Sequence, residues 1–169
     1  MIVWSFRIDC WAINYLPEGF GGWAMSISTS TLWQTVFNIV KNIDYTHPQG
    51  AGYKYVYGAF PDPLIDNQDA YPIIVVNPID LTSRQLTYNI FEFTAKVRID
   101  IFTTSASLSD TLLDKVIKQM ETDRSDLESA GMYSGRVSSS GFSVERKSGM
   151  KIHIRSIEYE FKVGECVWW

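Results

Sequence analysis

The sequence predicts an α+β domain, a mainly antiparallel sheet with two helices packed on one face. Three observations lead there. Within residues 90–102 the chain alternates: Phe91, Phe93, Ala95, Val97, Ile99 and Ile101 are apolar, and Glu92, Thr94, Lys96, Arg98 and Asp100 stand between them. A period of two belongs to a strand with one buried face and one open face. Two other stretches, 30–43 and 109–129, space their apolar residues three and four apart, the period of an amphipathic helix. The order helix, strands, helix, strands sets helices against one face of an antiparallel sheet.

Residues 1–24 form an N-terminal extension carrying Trp4, Phe6, Trp11, Tyr15, Phe20 and Trp23. Arg7 and Asp9 interrupt its apolar stretch, so it lacks the form of a secretory signal. Two readings stand. In one it is a strand with Ile2, Trp4, Phe6, Ile8 and Cys10 on one face. In the other, the codons of Gly21-Gly22-Trp23 contain a ribosome-binding sequence, translation starts at Met25, and residues 25–169 are the whole domain.

The first helix is expected over 30–43. Ser28, Thr29 and Ser30 are good N-caps, and Leu32, Trp33, Val36, Phe37, Val40 and Ile43 share a face. Asp44, His47 and Pro48 end it. Tyr53, Tyr55 and Tyr57 alternate with Lys54 and Val56 as a short strand. Residues 60–69, with Pro61, Pro63 and several acids, read as an exposed loop. Residues 71–76 are a β-branched run suited to a central strand, stopped by Pro78, and 80–89 read as a polar loop or hairpin end. After strand 90–102, the second helix is expected at 109–129, with Leu112, Leu113, Val116, Ile117, Met120 and Leu127 inward and Gly131 just past its end. Residues 132–148 are Ser- and Gly-rich, with room for a short strand around Phe142 and Val144. The last strand spans 151–163 and changes phase: Ile152 and Ile154 share one parity, while Ile157, Tyr159, Phe161 and Val163 share the other. A β-bulge near Arg155–Ser156 would keep all of them on one face.

The chain has 169 residues, enough for one domain, with 46% hydrophobic and 20% charged residues, an ordinary globular balance. Aromatics reach 14%, enough to serve an interface as well as a core. No apolar run approaches the roughly 18 residues needed to cross a bilayer. The net charge of −4 and the absence of a basic block argue against gripping a nucleic-acid backbone. Cys10 and Cys166 lie at opposite ends, outside any CxxC motif, and are expected as free thiols.

Catalytic and cofactor chemistry finds little support. His47 and His153 are the two histidines, without a second ligand at a zinc spacing, and both are expected to face solvent in structural roles. There is no GxSxG elbow, and Gly50-Ala51-Gly52 lacks the length and the lysine of a phosphate loop. Asp62, Asp66, Asn67 and Asp69 depart from EF-hand spacing and lack its closing Glu, so a solvated loop is expected. The three tyrosines could stack bases, but only Lys54 accompanies them; cross-strand packing is the expectation. Glu158, Glu160 and Lys162 share one strand face and read as a solvated or subunit-facing stripe. Trp168 and Trp169 are expected to fold back on the domain or dock on a neighbour. Catalytic residues, cofactors and metals are therefore expected to be none.

The element order after Met25 resembles that of the tail terminator, or tail completion, proteins of long-tailed bacteriophages and related archaeal viruses. The likeness covers residues 25–163. It rests on the opening helix 32–43, the strand Tyr71-Pro72-Ile73-Ile74-Val75-Val76, the long strand from Phe91 to Phe102 running into 107–113 and the second helix, and the late strand Ile157-Glu158-Tyr159-Glu160-Phe161. The extension 1–24 and the terminal Trp168–Trp169 depart from the pattern. The resemblance implies a virion protein of the tail or neck, assembled in the host cytoplasm. It would form a ring, typically of six copies, at the head-proximal end of the tail tube. Its partners would be further copies of itself, the major tail tube protein and the head–tail connector, with DNA passing through an acidic lumen unbound and no membrane involved. Candidate contacts are Glu92, Lys96, Arg98, Asp100, Glu158, Glu160, Trp168 and Trp169, with Asp62, Asp66 and Asp69 as a mobile contact to tube or connector. Alternatives are a head–tail connector or minor capsid protein and, in another class, a small-molecule or lipid-binding α+β module.

The start-site reading has a direct check. If translation begins at Met25, the natively expressed protein has the intact mass of residues 25–169; a mass that includes residues 1–24 rules that start site out.

Overall fold

The computed structural model of the chain describes residues 28–87, 90–147 and 149–167. The expected N-terminal strand and the two terminal indoles, Trp168 and Trp169, lie outside the described residues. Helix α1 (Thr29–Lys41) opens at Ser28, whose hydroxyl accepts the Thr31 N–H at 3.4 Å. Leu32, Val36, Ile39 and Val40 make its buried face. Half-buried Trp33 donates its indole N–H to the Val76 carbonyl at 3.1 Å and stacks on Phe37, ring centroids 4.9 Å apart. Gly58 leaves room for that indole, since a Cβ there would stand 2.8 Å from the ring.

The strand expected across the three tyrosines is only two residues long, β1 (Val56–Tyr57), and pairs parallel with β2 (Ile73–Val76). Upstream, the rings serve the 45–49 turn instead of a ladder. Tyr53 stacks on His47 at 4.3 Å, and the Tyr55 hydroxyl donates to the Tyr45 carbonyl at 3.3 Å. Between β1 and β2 the acidic stretch is an exposed loop with two short 3-10 turns, Asp62–Leu64 and Gln68–Ala70.

Residues 80–89, expected as a polar loop or hairpin end, contain an eight-residue strand, β3 (Asp80–Thr87), antiparallel to β4 (Ile90–Thr103). Leu81 is half-buried, and Thr82 through Leu86 are exposed. A strand without a buried face carries no apolar alternation; its ladder to β4 holds it. The second helix is α2 (Ala106–Thr122), capped by Ser105, and a separate turn of helix, α3 (Arg124–Ser129), follows a break at Asp123. Met120 and Leu127 stand seven residues apart, two helical turns, so their periodicity conceals the break. A left-handed Gly131 ends α3 in a Schellman closure: Met132 N–H donates to Leu127 O at 2.8 Å and Gly131 N–H to Glu128 O at 3.0 Å.

Residues 132–148 hold far more strand than expected. β5 (Tyr133–Lys147) is 15 residues long and exposed almost throughout. It pairs antiparallel with β6 (Met150–Val167), which in turn pairs antiparallel with β4. The sheet order is β1-β2-β4-β6-β5, with β3 beside β2 on the same flank of β4. All pairings are antiparallel except β1–β2, which bears out the α+β reading.

The phase change in the last strand has a different cause from the one expected. Register between β4 and β6 runs unbroken from Thr103↔His153 to Thr94↔Lys162, so there is no bulge at Arg155–Ser156; the shift falls between Phe93 and Thr94, opposite Val163. The sheet instead buries opposite faces at its two ends. The larger core joins α1, α2 and α3 to Ile74, Val76, Ala95, Val97, Ile99, Ile101, Ile157, Tyr159, Phe161 and Val163. A second core on the other face joins Ile73, Val75, Phe102, Ile152 and Ile154 to Phe60, Leu64, Ala70 and Tyr71 from the acidic loop. Ile152 and Ile154 therefore point away from Ile157 without any inserted residue, and β2 is buried on both sides.

Ile152 is 1% exposed within the second core. Ile152→Ala is expected to lower unfolding free energy by about 2–4 kcal/mol in urea titrations; a loss no larger than that of an exposed site would show that this second core does not hold.

Candidate interaction surface

Because helices cover one face of the sheet and the 57–71 segment covers one end of the other, part of the second face stays open. Pairing places side chains there row by row. Asp80 stands opposite Lys96, Lys96 opposite Glu160, and Glu160 opposite Arg136. Neighbouring rows set Thr82 opposite Thr94, Arg84 opposite Glu92, and Arg98 opposite Glu158. The ladder is thus polar throughout, with both charge signs interleaved.

Local ion pairs order these groups. Lys96 Nζ lies 3.7 Å from Glu158 and 3.5 Å from Glu160, Arg136 Nη2 reaches Glu160 at 2.7 Å, and Lys162 Nζ reaches Glu92 at 2.5 Å. The hydrogen bond from Arg136, aided by Lys96, holds the Glu160 carboxyl below its usual range. Exposed pairs of this kind add little stability one by one; their value lies in fixing which charge stands where. Asp100 differs, being 8% exposed and satisfied inside the chain. Arg98 Nε donates to its Oδ1 at 2.8 Å, Ser156 Oγ to the same oxygen at 2.5 Å, and Asn77 Nδ2 to Oδ2 at 2.8 Å. It knits β2, β4 and β6 together where the open face meets the second core.

Five of the candidate contacts, Glu92, Lys96, Arg98, Glu158 and Glu160, are therefore brought onto one surface, while Asp100, on the same sheet face, is buried at its boundary and engaged within the chain, contrary to its expected contact role. Asp62, Asp66 and Asp69 are exposed on the loop that covers the other end of the same face. Trp168 and Trp169 fall outside the described residues. Asp80, Arg84 and Arg136 also belong to the surface; sequence reasoning missed them because it read 80–89 as a polar loop or hairpin end and 132–148 as Ser- and Gly-rich with only a short strand around Phe142 and Val144. Among the described residues, no group of three or more His, Cys, Asp or Glu is arranged to hold a metal ion.

The two histidines are buried, at 2% and 9% exposure, contrary to the solvent-facing expectation. His47 Nδ1 accepts the Gln49 N–H at 3.1 Å, so Nε2 carries the proton and donates to Ala70 O at 3.3 Å. Burial pushes its pKa down, which keeps this pinning group neutral. His153 sits on the helix-side face of β6, beside Phe142. On that side a groove of about 390 Å³ lies between the α2–α3 end and the start of β5, with Met120, Leu127, Val137 and Phe161 among its walls. The Tyr159 hydroxyl is buried there without a hydrogen-bond partner among the described residues, and burial raises its pKa well above the usual phenol value, with Glu121 adding to the effect. Gly135 leaves space for Phe161, whose ring would lie 2.7 Å from an added Cβ.

No family model and no curated protein matches the chain. Among solved structures it is similar to a chain from the "Virion of native gene transfer agent (GTA) particle", at 12% identity and a TM-score of 0.35, covering 80% of this chain and 94% of that one. At that overlap the likeness carries no functional argument.

Asp100→Ala removes three internal hydrogen bonds to a carboxylate and is expected to cost about 2 kcal/mol of stability at neutral pH. Urea unfolding measures it. A midpoint equal to wild type would mean that the Asp100 cluster does not tie the three strands.

Proposed function

We propose that the chain is a non-enzymatic virion assembly protein, a tail terminator. In this reading copies form a ring at the head-proximal end of a tail tube, end tube growth and offer the head–tail connector a surface. The observation that carries the reading is the open sheet face. It is broad, it interleaves both charge signs in fixed positions, and several of its charges are engaged with one another. Interleaved charge gives registry and partner selection more than raw affinity, which suits a part that must seat in one orientation. The exposed acidic loop with Asp62, Asp66 and Asp69 is the contact to tube or connector. Balanced charge on the ladder and acidic loop residues suit a lumen through which DNA slides without being held. The element order, from opening helix through long strand to late strand, supports the same reading.

A second reading has its own observation. The groove beside Tyr159 has an apolar floor of Met120, Leu127, Val137 and Phe161, charged Glu121, Arg124 and Arg136 in its walls, and an unpartnered buried hydroxyl among the described residues, which suits a small amphipathic ligand, as a small-molecule or lipid-binding module would need.

Electron microscopy of the purified protein, with and without tail tube subunits, tests the first reading. Closed rings, six-fold in the typical case, and tubes capped at one end are expected. A strict monomer that leaves tube length unchanged overturns the terminator reading.

A further inference from the structure

β5 pairs with β6 alone, so its outer edge has no partner among the described residues. A bare edge presents a row of backbone N–H and C=O groups that templates pairing with another strand. From Ser139 to Lys147 the register against β6 is unbroken, which leaves a regular edge of nine residues. Phe142 and Val144 lie within this stretch, and both are exposed, Phe142 at 50%. They stand opposite Arg155 and His153 and so share the helix-side face, while Ser143 and Glu145 share the other. A strand that fits this edge carries apolar side chains at alternate positions on one face and polar ones on the other.

The chain itself holds a segment of that kind. In residues 2–10, Ile2, Trp4, Phe6, Ile8 and Cys10 fall on one face, and Ser5, Arg7 and Asp9 fall on the other. The segment lies outside the described residues, and both described cores are built from Leu32 onward. Charge selects a register. Glu145 is exposed, and its ion pair to Lys147, at 3.3 Å, lies along its own strand. An antiparallel strand with Arg7 opposite Glu145 sets Ile8 opposite Val144 and Cys10 opposite Phe142 on the helix-side face. Residues 5–11 then pair with residues 147–141, wholly inside the unbroken stretch.

The place where the segment joins the domain decides whose β5 it reaches. Trp33, near the start of α1, donates to the Val76 carbonyl at the end of β2 and packs on Gly58, just after β1. α1 thus begins over the β1–β2 flank, and β5 is the strand at the far end of the sheet order. The sixteen residues 12–27, extended, span about 50 Å. That is ample for a neighbouring copy whose β5 stands beside the β1–β2 flank.

We infer that copies of the chain are joined by strand exchange, with residues 5–11 of one copy added antiparallel to the β5 edge of the next. Ile8 and Cys10 cover Val144 and Phe142, and Arg7 faces Glu145. The contact is heterologous, since a terminal strand meets a sheet edge, and its repetition closes a ring when the rotation between copies divides a full turn. The inference rests on the ring reading above and names the contact that closes the ring.

Cys10 supplies the test. Directly opposed residues of an antiparallel pair have Cα atoms about 4.5–5.5 Å apart, within the range a disulfide bridges. In the full chain, Phe142→Cys under mild oxidation is expected to give disulfide-linked multimers on non-reducing gels, and adding Cys10→Ser is expected to abolish them. No link, a link closed within one chain, or a link that survives Cys10→Ser overturns the exchange. Ile8→Asp is expected to weaken self-association roughly tenfold or more in sedimentation, with circular dichroism unchanged because Ile8 lies outside both described cores. Wild-type rings unmoved by Ile8→Asp overturn the exchange and leave the terminator reading standing. Cross-linked rings that neither cap tubes nor bind tube protein leave the exchange standing and overturn the terminator reading. A wild type that stays monomeric at high concentration, or a native chain with the mass of residues 25–169, overturns the exchange.

Discussion

The antiparallel ladder between β4 and β6, unbroken from Thr103↔His153 to Thr94↔Lys162, is the constraint on which the rest of the structure depends. It decides which residues share a face. Ala95, Val97, Ile99 and Ile101 line up with Ile157, Tyr159 and Phe161 and give α1 and α2 a continuous apolar floor. The same register sends Phe102 and Ile154 to the opposite side, where they would meet water if the 57–71 segment did not cover them. A slip of one residue would turn every one of these side chains to the wrong face, so two separate cores hold a single register.

That division explains why the open face is where it is. The second core covers only the end of the sheet near Phe102, Ile73 and Ile152. Beyond it the sheet has a face that nothing in the described chain covers, and Asp100 marks the boundary, buried and bonded to Asn77, Arg98 and Ser156. From that boundary outward the residues become ion pairs whose members come from three different strands, β4, β5 and β6. Their geometry is a consequence of the ladder rather than a cause of stability, which is why the surface suits recognition.

The flanks of the sheet complete the picture. β3 and β5 have little core of their own and are held by backbone pairing to β4 and β6, with apolar side chains left in water. Strands of this kind gain most from another strand along the bare edge, because the backbone bonds are already aligned and the exposed side chains are already in place.

What the sequence by itself determined follows from burial. Wherever a face is covered, the apolar residues repeat at the period of the element, and α1, α2, β2 and β4 were legible for that reason. Ser28 and Gly131 marked ends through local capping chemistry that needs no tertiary partner. The α+β class and the grouping of Glu92, Lys96, Arg98 and Asp100 on one strand face came from the same alternation. Only the tertiary structure decided the rest. β3 and β5 leave no period because their side chains stay exposed, so Asp80, Arg84 and Arg136 could not be placed. The break at Asp123 was hidden by an in-phase spacing. The parity flip in β6 recorded two cores on opposite faces, where a single-core assumption required a bulge. Burial of His47 and His153 came from loops and strands distant in sequence. A periodic signal reports that a face is covered; which element covers it, and where cover ends, is set by contacts between residues far apart in the chain.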